Sequence, residues 1–359
     1  WEQRKLGDVA KITAGGDINK GDLINKGKYP VIANGLNNNG IVGYSNKYKI
    51  DAPAVTITGR GTLGVATARF INFTPIVRLI SIKSDLDPIY LENVINNTHF
   101  VIESTGVPQL TAPQVKRQTV ILSNCHIEQT KIGSLFLTLD NAITLHEEKK
   151  RQLERLKSAL LQKMFADKSG YPPVRFEGFS DKWEQVKYGE IFQRRSKMGV
   201  STPTLPSVEY DDINPGMGTL NKEPKSKGIS KRGIYFNPGD VLFGKLRPYL
   251  KNWLFACFEG VAVGDFWVLT SSKIDHGFTY SLIQTPGFQY IANLSSGSKM
   301  PRSDWGLVSN ARTFIPINHL EQERISSVLF GLDHAITLYE HKLEILNKIK
   351  SFLLQNMFI

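Results

Sequence analysis

Two segments of this chain are copies of each other, and they decide its architecture. Residues 126–166 read HIEQTKIGSLFLTLDNAITLHEEKKRQLERLKSALLQKMFA, and residues 319–359 read HLEQERISSVLFGLDHAITLYEHKLEILNKIKSFLLQNMFI. They align without a gap at an offset of 193 and are identical at 21 of 41 positions. A match of that length indicates an internal repeat, the first feature to establish when the organisation of a chain is read.

The repeated segments are predicted to be long helices that pair with each other. In the second copy apolar residues recur in steps of four and three, the spacing of a coiled coil, with one interruption at Lys350. The first copy has the same spacing but places His146, Lys150 and Lys157 on this stripe. About 38 helical residues form a rod of roughly 55–60 Å. Because the chain must cross a globular block between the copies, we expect the helices to be antiparallel.

Two globular blocks of unlike sequence accompany the helices, and both open on the same short motif. Residues 1–8 (WEQRKLGD) match residues 183–190 (WEQVKYGE) at an offset of 182, and little else in the blocks is shared. The proline-containing linker before the second block has no counterpart before Trp1, so we expect that the N-terminus is truncated. The predicted order is a first block, a spacer helix, a linker, a second block and a second spacer helix, over residues 1–125, 126–166, 167–182, 183–318 and 319–359.

Both blocks are predicted to have an α+β fold with mixed β-sheets. Short β-rich runs alternate with turn residues and with a few short helical stretches, which differs from the regular strand–helix alternation of an α/β protein. The predicted strands are residues 29–33, 54–58, 76–82, 240–243 and 260–263, and the predicted helices are residues 89–97 and 280–284.

The positive charge of the chain lies in the two blocks. The net charge is +11; residues 1–125 hold 14 Lys and Arg against 9 Asp and Glu, and residues 167–318 hold 19 against 14, an excess of 5 in each. Two basic blocks favour a polyanionic partner held at two places. No apolar run of about 18 residues exists, so no membrane span is expected. The two cysteines, Cys125 and Cys257, are far apart and predict buried thiols in a reducing cytoplasm rather than a disulfide or a zinc site.

Loops that follow predicted strands carry the candidate DNA-binding cations. Residues 59–64 (GRGTLG) match the dinucleotide fingerprint literally, but a strand-like run follows where that fingerprint needs a helix, which favours a tight turn presenting Arg60. Residues 244–249 (GKLRPY) follow a predicted strand in the second block. Lys and Arg on loops can contact phosphates or guanine edges. The candidates are Arg60, Lys245, Arg247, Lys251, Lys299 and Arg302.

No catalytic residue and no metal ligand is predicted. An adenine methyltransferase needs an Asn/Asp-Pro-Pro-aromatic segment, and the nearest sequence, Asn214-Pro215-Gly216, lacks its second proline and its aromatic residue. There is no Gly-x-x-x-x-Gly-Lys-Ser/Thr loop for ATP. His126 and His319 start the repeats, and the acidic residue that follows each of them suits the first turn of a helix.

These features together resemble the specificity subunits of type I restriction-modification enzymes. The resemblance rests on the Trp-Glu-x-x-Lys-x-Gly openings, on Gly-Asp-Val-Leu-Phe-Gly-Lys-Leu-Arg-Pro at 239–248, on Arg-Gly-Thr-Leu-Gly at 60–64, and on the helices that end in Leu-Leu-Gln-x-Met-Phe at 160–165 and 353–358. It extends over essentially the whole chain. The truncated start and the polar stripe residues of the first helix depart from it.

The resemblance implies two target-recognition domains that each read half of a bipartite double-stranded DNA site, held apart by an antiparallel coiled coil with internal pseudo-two-fold symmetry. It implies two modification subunits bound to the helices and restriction subunits, with S-adenosylmethionine, ATP and Mg²⁺ on these partners and no cofactor on this chain. The expected partner-binding residues are Ile143, Leu153, Leu160, Ile336, Leu346 and Leu353. A methyltransferase in its own right and a coiled-coil adaptor without DNA specificity remain alternatives.

Overall fold

A computed structural model of the protein describes residues 1–100, 108–223, 230–294 and 300–358, except for the side chain of Lys20. The chain divides into two units, which we call unit 1 (Trp1–Glu147 with Lys342–Ile359) and unit 2 (Glu148–His341). The two repeated segments form long helices, His126–Lys163 and His319–Met357. Each long helix begins in one unit and ends in the other, so each unit contains the start of one helix and the end of its copy.

Unit 1 is built on a four-stranded antiparallel sheet and a smaller three-stranded one. The first has the strand order Ala10–Ala14, Leu79–Ser84, Ala54–Thr58 and Ala66–Arg69. The second has the order Ile41–Ser45, Tyr29–Ile32 and Thr74–Pro75, and its last pair is parallel. Glu2–Lys5 pairs with Thr119–Leu122, and the short helices are Leu6–Val9, Pro88–Asn96 and Ala112–Arg117, with 3₁₀ turns at Lys20–Asp22 and Asn37–Gly40.

Unit 2 repeats this plan with different strands. One four-stranded sheet is antiparallel and has the order Gln193–Arg194, Phe266–Thr270, Val241–Gly244 and Trp253–Phe255. The other has the order Met198–Val200, Arg232–Phe236, Gly260–Ala262 and Ser207–Val208, with a parallel last pair. Two further strand pairs form, Glu184–Lys187 with Arg312–Ile315 and Ile213–Asn214 with Thr219–Leu220. The short helices are Tyr188–Ile191, His276–Ile283, Pro286–Ala292 and Trp305–Asn310, and 3₁₀ turns lie at Tyr210–Asp212 and Pro248–Leu250.

The predicted α+β class with paired antiparallel helices is confirmed. In unit 2, Lys150 contacts Glu340 at 3.0 Å and Lys157 contacts Asp333, so a step of seven residues forward on one helix is matched by seven back on the other. In unit 1, Lys350 contacts Asp140 at 2.5 Å. The lysines that interrupt the apolar stripe therefore form ion pairs between the helices, a role that their spacing alone did not indicate.

The start of each long helix is tied to its own unit by the same Glu-Gln pair. Glu128 accepts a hydrogen bond from the indole nitrogen of Trp1, as Glu321 does from Trp183, both at 3.3 Å. The next residue, a glutamine, donates from its amide to the backbone carbonyl where the last strand ends, at Ser123 in unit 1 and Pro316 in unit 2. The amide oxygen of this glutamine accepts from the backbone nitrogen of the residue that caps a short helix. That residue is Asp87, before Pro88–Asn96, in unit 1 and Asp275, before His276–Ile283, in unit 2. These equivalent contacts explain why the Glu-Gln pair is identical in the two copies.

Each unit has a core that mixes block residues with residues from both long helices. In unit 1, Phe136 from one helix and Phe358 from the end of the other stack at 5.7 Å, and Phe358 also lies 5.8 Å from the buried Tyr90. In unit 2, Phe165 stacks on Phe278 at 5.5 Å within a cluster that includes Leu329. The helix ends therefore complete the cores of the blocks.

One expectation about the cysteines is wrong. Cys125 and Cys257 are both exposed rather than buried. Cys125 lies in the short connection just before the first long helix, and Cys257 follows the strand Trp253–Phe255, so both occupy surface turns.

Candidate nucleic-acid interface

Two of the predicted DNA-binding cations of unit 2 are brought together by one carboxylate. Arg302 donates from Nε and Nη2 to Asp265 at 3.1 and 2.8 Å, and Lys245 Nζ lies 3.6 Å from the same carboxylate. The two cations come from distant parts of the chain, and a bridge between Leu246 and Arg302 aligns their backbones. One negative charge against two positive ones leaves this corner of unit 2 cationic.

A half-buried tyrosine supports this corner from below. The hydroxyl of Tyr210 donates to the backbone oxygen of Asp265 at 2.6 Å and accepts from the backbone nitrogen of Leu246 at 3.1 Å. Its ring stacks on Phe266 at 4.6 Å. Burial raises the pKa of Tyr210 to about 12, so the hydroxyl stays protonated and keeps its donor role.

Arg247 and Lys251 bracket the 3₁₀ turn Pro248–Leu250. Both have left-handed backbones, with φ values of 49° and 59°, which side-chain-bearing residues rarely adopt. Hydrogen bonds hold the conformation: Arg247 N donates to Pro301 O at 2.7 Å, and Lys251 O accepts from Gly216 N at 2.8 Å. One turn of fixed backbone conformation therefore carries two cations.

In unit 1, Arg60 is exposed on the glycine-rich turn between the strands Ala54–Thr58 and Ala66–Arg69. Gly61 and Gly64 have φ values of 74° and 78°, which glycine adopts without strain. The oxygen of Asn34 accepts from the backbone nitrogens of Gly59 and Arg60 at 2.5 and 3.3 Å and fastens the turn. A strand follows the turn, so the dinucleotide-fingerprint interpretation is excluded, as the sequence indicated. Lys299, the remaining candidate, lies outside the described residues.

A basic groove in unit 2 contains cations that the sequence analysis did not single out. It has a volume of about 910 Å³ and extends to Lys245, so it is continuous with the cationic corner at Asp265. Its charged lining consists of four cations and one carboxylate: Lys187, Arg194, Arg195, Lys245 and Glu190. The run Arg194-Arg195-Ser196-Lys197 was the available signal in the sequence. Aromatic residues, Phe192, Phe266, Trp267 and Trp305, form another part of the wall. Cations interleaved with aromatic rings suit nucleic acid.

Not all of these cations are available to a ligand. Arg195 is bound at 2.5 Å by Asp240, whose side chain is completely buried, so Arg195 satisfies an internal charge. Lys187 and Arg194 make no ion pair within the described residues. The groove therefore offers an exposed arginine and a half-buried lysine beside the shared cations at Asp265.

The predicted partner-binding residues face inward. Ile143 and Ile336 are buried, whereas Leu153, Leu160, Leu346 and Leu353 are half-buried. Exposed apolar side chains of the long helices lie at other positions, which include Leu137, Leu145, Leu156, Leu338, Ile345, Ile349 and Phe352. Partner binding by the six named residues stays a prediction, and the exposed set is better placed for direct contact.

Within the described ranges, no group of three or more His, Cys, Asp or Glu side chains could hold a metal ion. Neither the long helices nor any other described helix has the length and apolarity needed to span a membrane.

Comparison with known proteins agrees with this geometry. Residues 1–155 match the family model described as the type I restriction modification DNA specificity domain. The chain is thus similar to type I specificity subunits in sequence and in fold. The specificity subunit of the Escherichia coli type I restriction enzyme EcoDI is 21% identical over 363 residues, which cover 91% of this chain and 76% of that protein.

Two Mycoplasma pneumoniae proteins named as type I specificity subunits are 29% and 28% identical over 137 and 118 residues. These matches cover 36% and 31% of this chain and only 38% and 35% of those proteins, well under two thirds of their length. The crystal structure of a type I restriction-modification S subunit from M. genitalium superimposes with a TM-score of 0.71 at 14% identity and covers 100% of this chain and 96% of that one. At that identity the likeness shows that the specificity-subunit fold is shared.

Proposed function

We propose that this chain is a type I specificity subunit that reads a bipartite DNA target, one half with each block, and performs no chemistry itself. The observation that carries the proposal is the repeated frame. Equivalent tryptophan–glutamate and glutamine–backbone contacts join each long helix to its block, while the strands and basic loops that the frames hold are unlike. One frame that holds two different basic surfaces suits the recognition of two different sequences. The antiparallel helices would set the distance between them.

The candidate cations would act in two ways. Lys and Arg that contact phosphates contribute salt-dependent affinity without sequence preference. An arginine that is bidentate to guanine contributes about 1–3 kcal/mol of discrimination. We assign the contacts with DNA to Arg60 in the first block and to Lys245, Arg247, Lys251, Lys299 and Arg302 in the second. Methylation of adenine with S-adenosylmethionine would belong to two modification subunits, and ATP- and Mg²⁺-dependent cleavage to restriction subunits.

Exchange of the second block tests the bipartite reading. Replacing residues 183–315 by the matching block of another specificity subunit is expected to change one half of the methylated sequence and to leave the other half intact. The assay is long-read mapping of methylated adenines in cells that express the chain with its modification subunits. If both halves stay the same, the proposal is wrong. Methylation by the isolated chain would favour an enzyme, and complexes that ignore sequence would favour an adaptor.

The modification subunits would bind exposed apolar side chains of the long helices. On the second helix, Ile345, Ile349 and Phe352 follow at steps of four and three and therefore share a face, and 42%, 42% and 63% of these side chains are exposed. Solvent-exposed apolar residues in a row are unfavourable unless a partner covers them.

Replacing Phe352 by serine is expected to weaken assembly with the modification subunits about ten-fold or more, because aromatic anchors supply much of the energy of an interface. The affinity is measured with the purified full-length chain. Leu320→Ser on the same helix is the control, since 50% of Leu320 is exposed and this residue lies at the other end of the helix, 25 positions before Ile345 and in unit 2. Equal losses in the two variants, or none in Phe352→Ser, would contradict this assignment.

A further inference from the structure

Arg194 is the groove cation whose guanidinium lies against an aromatic ring. Its Cζ is 4.6 Å from the centre of the Trp305 ring. Trp305 is itself fixed, because its ring meets that of the buried Trp267 edge-to-face at 5.2 Å and 76°. A guanidinium stacked on an indole gains cation–π attraction while its N–H edge stays free to donate hydrogen bonds.

The strand pairing explains why Arg194 is at this place. Arg194 lies opposite Leu269 in the edge strand of the antiparallel sheet, and Trp267 precedes Leu269 by two residues and so shares its face. Leu269 and Trp267 are 0% and 4% exposed, whereas Arg194 at the sheet edge is exposed. The backbone of Arg194 is therefore anchored to the core of unit 2 and its charged end faces solvent.

Two other arginines of unit 2, Arg195 and Arg302, are held by carboxylates. Arg195 is bound by Asp240, and Arg302 donates from Nε and Nη2 to Oδ2 of Asp265 at 3.1 and 2.8 Å. Arg194 has no ion pair in the part of the chain that the structure describes. The ring of Trp305 sets the orientation of Arg194 and leaves its N–H donors unused. A carboxylate in that place would occupy those donors.

We propose that Arg194, held on Trp305, is a specificity-determining residue of the second block and reads a guanine in the half-site that unit 2 recognises. Guanine presents O6 and N7 as adjacent acceptors in the major groove, and the planar donor pair of arginine matches them. A fixed guanidinium loses less conformational freedom on binding and tolerates less error in the position of its partner. Both properties favour recognition of a base edge over contact with a phosphate, for which charge is enough. The inference rests on the proposed function, because it deepens the DNA reading assigned to unit 2.

The test compares Arg194→Lys with the unchanged chain, each in complex with the modification subunits. Lysine keeps the charge but lacks the paired planar donors. We expect Arg194→Lys to relax the preference for guanine at one position of one half-site about ten-fold, while affinity for DNA without the site is unchanged. Methylated positions are mapped genome-wide, and binding is measured on target duplexes in which single guanines are replaced by 7-deazaguanine, which lacks the N7 acceptor. With the unchanged chain, 7-deazaguanine in place of the guanine that Arg194 reads should lower the affinity. With Arg194→Lys, the same replacement in the DNA should cause no further loss of affinity.

Arg324→Lys is the matched control. Arg324 also lies over an aromatic ring in unit 2, with Cζ 5.4 Å from the centre of Phe179, but it does not line the groove. The methylated sequence and the DNA affinity of Arg324→Lys should equal those of the unchanged chain. Thermal unfolding of all three proteins shows whether any difference arises from folding.

Three results would overturn the inference. Arg194→Lys could retain the full guanine preference, or Arg194→Gln could weaken all DNA equally and lower the salt dependence, as loss of a phosphate contact does. The half-site of the second block could also contain no guanine. In these cases the unchanged chain would still direct methylation to a two-part sequence, and the proposed function would stand. If the unchanged chain directs methylation to no two-part sequence, the proposed function fails and this inference fails with it.

Discussion

Replacing Glu321 by alanine is expected to lower the free energy of unfolding of unit 2 by about 3–5 kcal/mol, the usual cost of breaking a buried ion pair. Only 1% of Glu321 is exposed. Its carboxylate accepts from Nε and Nη2 of Arg175 at 2.7 and 2.9 Å and from the indole of Trp183 at 3.3 Å. These hydrogen bonds raise the pKa of Arg175, so the guanidinium keeps its charge and loses its partner in the variant. Urea unfolding followed by tryptophan fluorescence measures the loss.

The internal repeat supplies the control for this prediction. Glu128 occupies the equivalent position in unit 1 and accepts from Trp1 and from the hydroxyl of Ser123, with no arginine bound to it among the described residues. Glu128→Ala should therefore cost clearly less than Glu321→Ala, because it leaves no charge unpaired. Equal losses would show that the shared tryptophan contact, rather than the Arg175 pair, dominates.

Replacing Lys157 by methionine is also expected to cost about 3–5 kcal/mol at neutral pH. The ammonium contacts the carboxylate of Asp333, with 12% and 13% of these side chains exposed, and donates to Gln284 at 2.6 Å. Burial raises the pKa of Asp333, and the charge of Lys157 opposes that rise. Without Lys157 the unpaired carboxylate must be protonated or remain charged in an apolar setting.

The pH dependence of this variant has a definite sign. Because the folded-state pKa of Asp333 is raised, its contribution to stability is fully present below the ordinary value of 3.8 and is lost as the pH rises through the folded value. Loss of Lys157 raises that pKa further, so the deficit of Lys157→Met should shrink as the pH is lowered. Urea unfolding at several pH values measures this. A deficit that grows on acidification would contradict the assignment.

The same ion pair occurs in unit 1 in a more exposed setting. Lys350 and Asp140 are the repeat equivalents of Lys157 and Asp333, and 28% and 45% of these side chains are exposed. Lys350→Met should cost at most about 1 kcal/mol, as exposed pairs usually do. The double variant Lys157→Met with Asp333→Leu should recover most of the lost stability, since an apolar pair avoids desolvating two charges. Failure of that recovery would point to Gln284 as the more important partner of Lys157.

Much of this fold is predictable because the information lies close together along the chain. The strand at 54–58 and the helix that begins at Pro88 follow from local pattern and from the Asp87 cap. The long helices follow from their repeat. The pairing of Lys157 with Asp333 does not, because helical periodicity shows which face a residue occupies but not which residue lies opposite.

The candidate interface was predictable only in part, for a related reason. Arg60 and Lys245 follow clear strands and glycines, so their loops stand out in the sequence. Arg194 lies in a two-residue edge strand that carries no periodic signal, and its aromatic support, Trp305, lies more than a hundred residues further along the chain. Asp265 likewise joins Lys245 and Arg302 only after folding.

The presence of Phe358 in the aromatic cluster of unit 1 has a consequence for synthesis on the ribosome. Unit 2 is one continuous stretch, so all its residues have been translated once His341 is added. Unit 1 is begun first, yet Tyr90 and Phe136 wait for Phe358, which is translated after the whole of unit 2. The core of unit 1 therefore reaches its mature packing only after unit 2 has been synthesised, and a nascent chain exposes that unfinished core until Phe358 has been added.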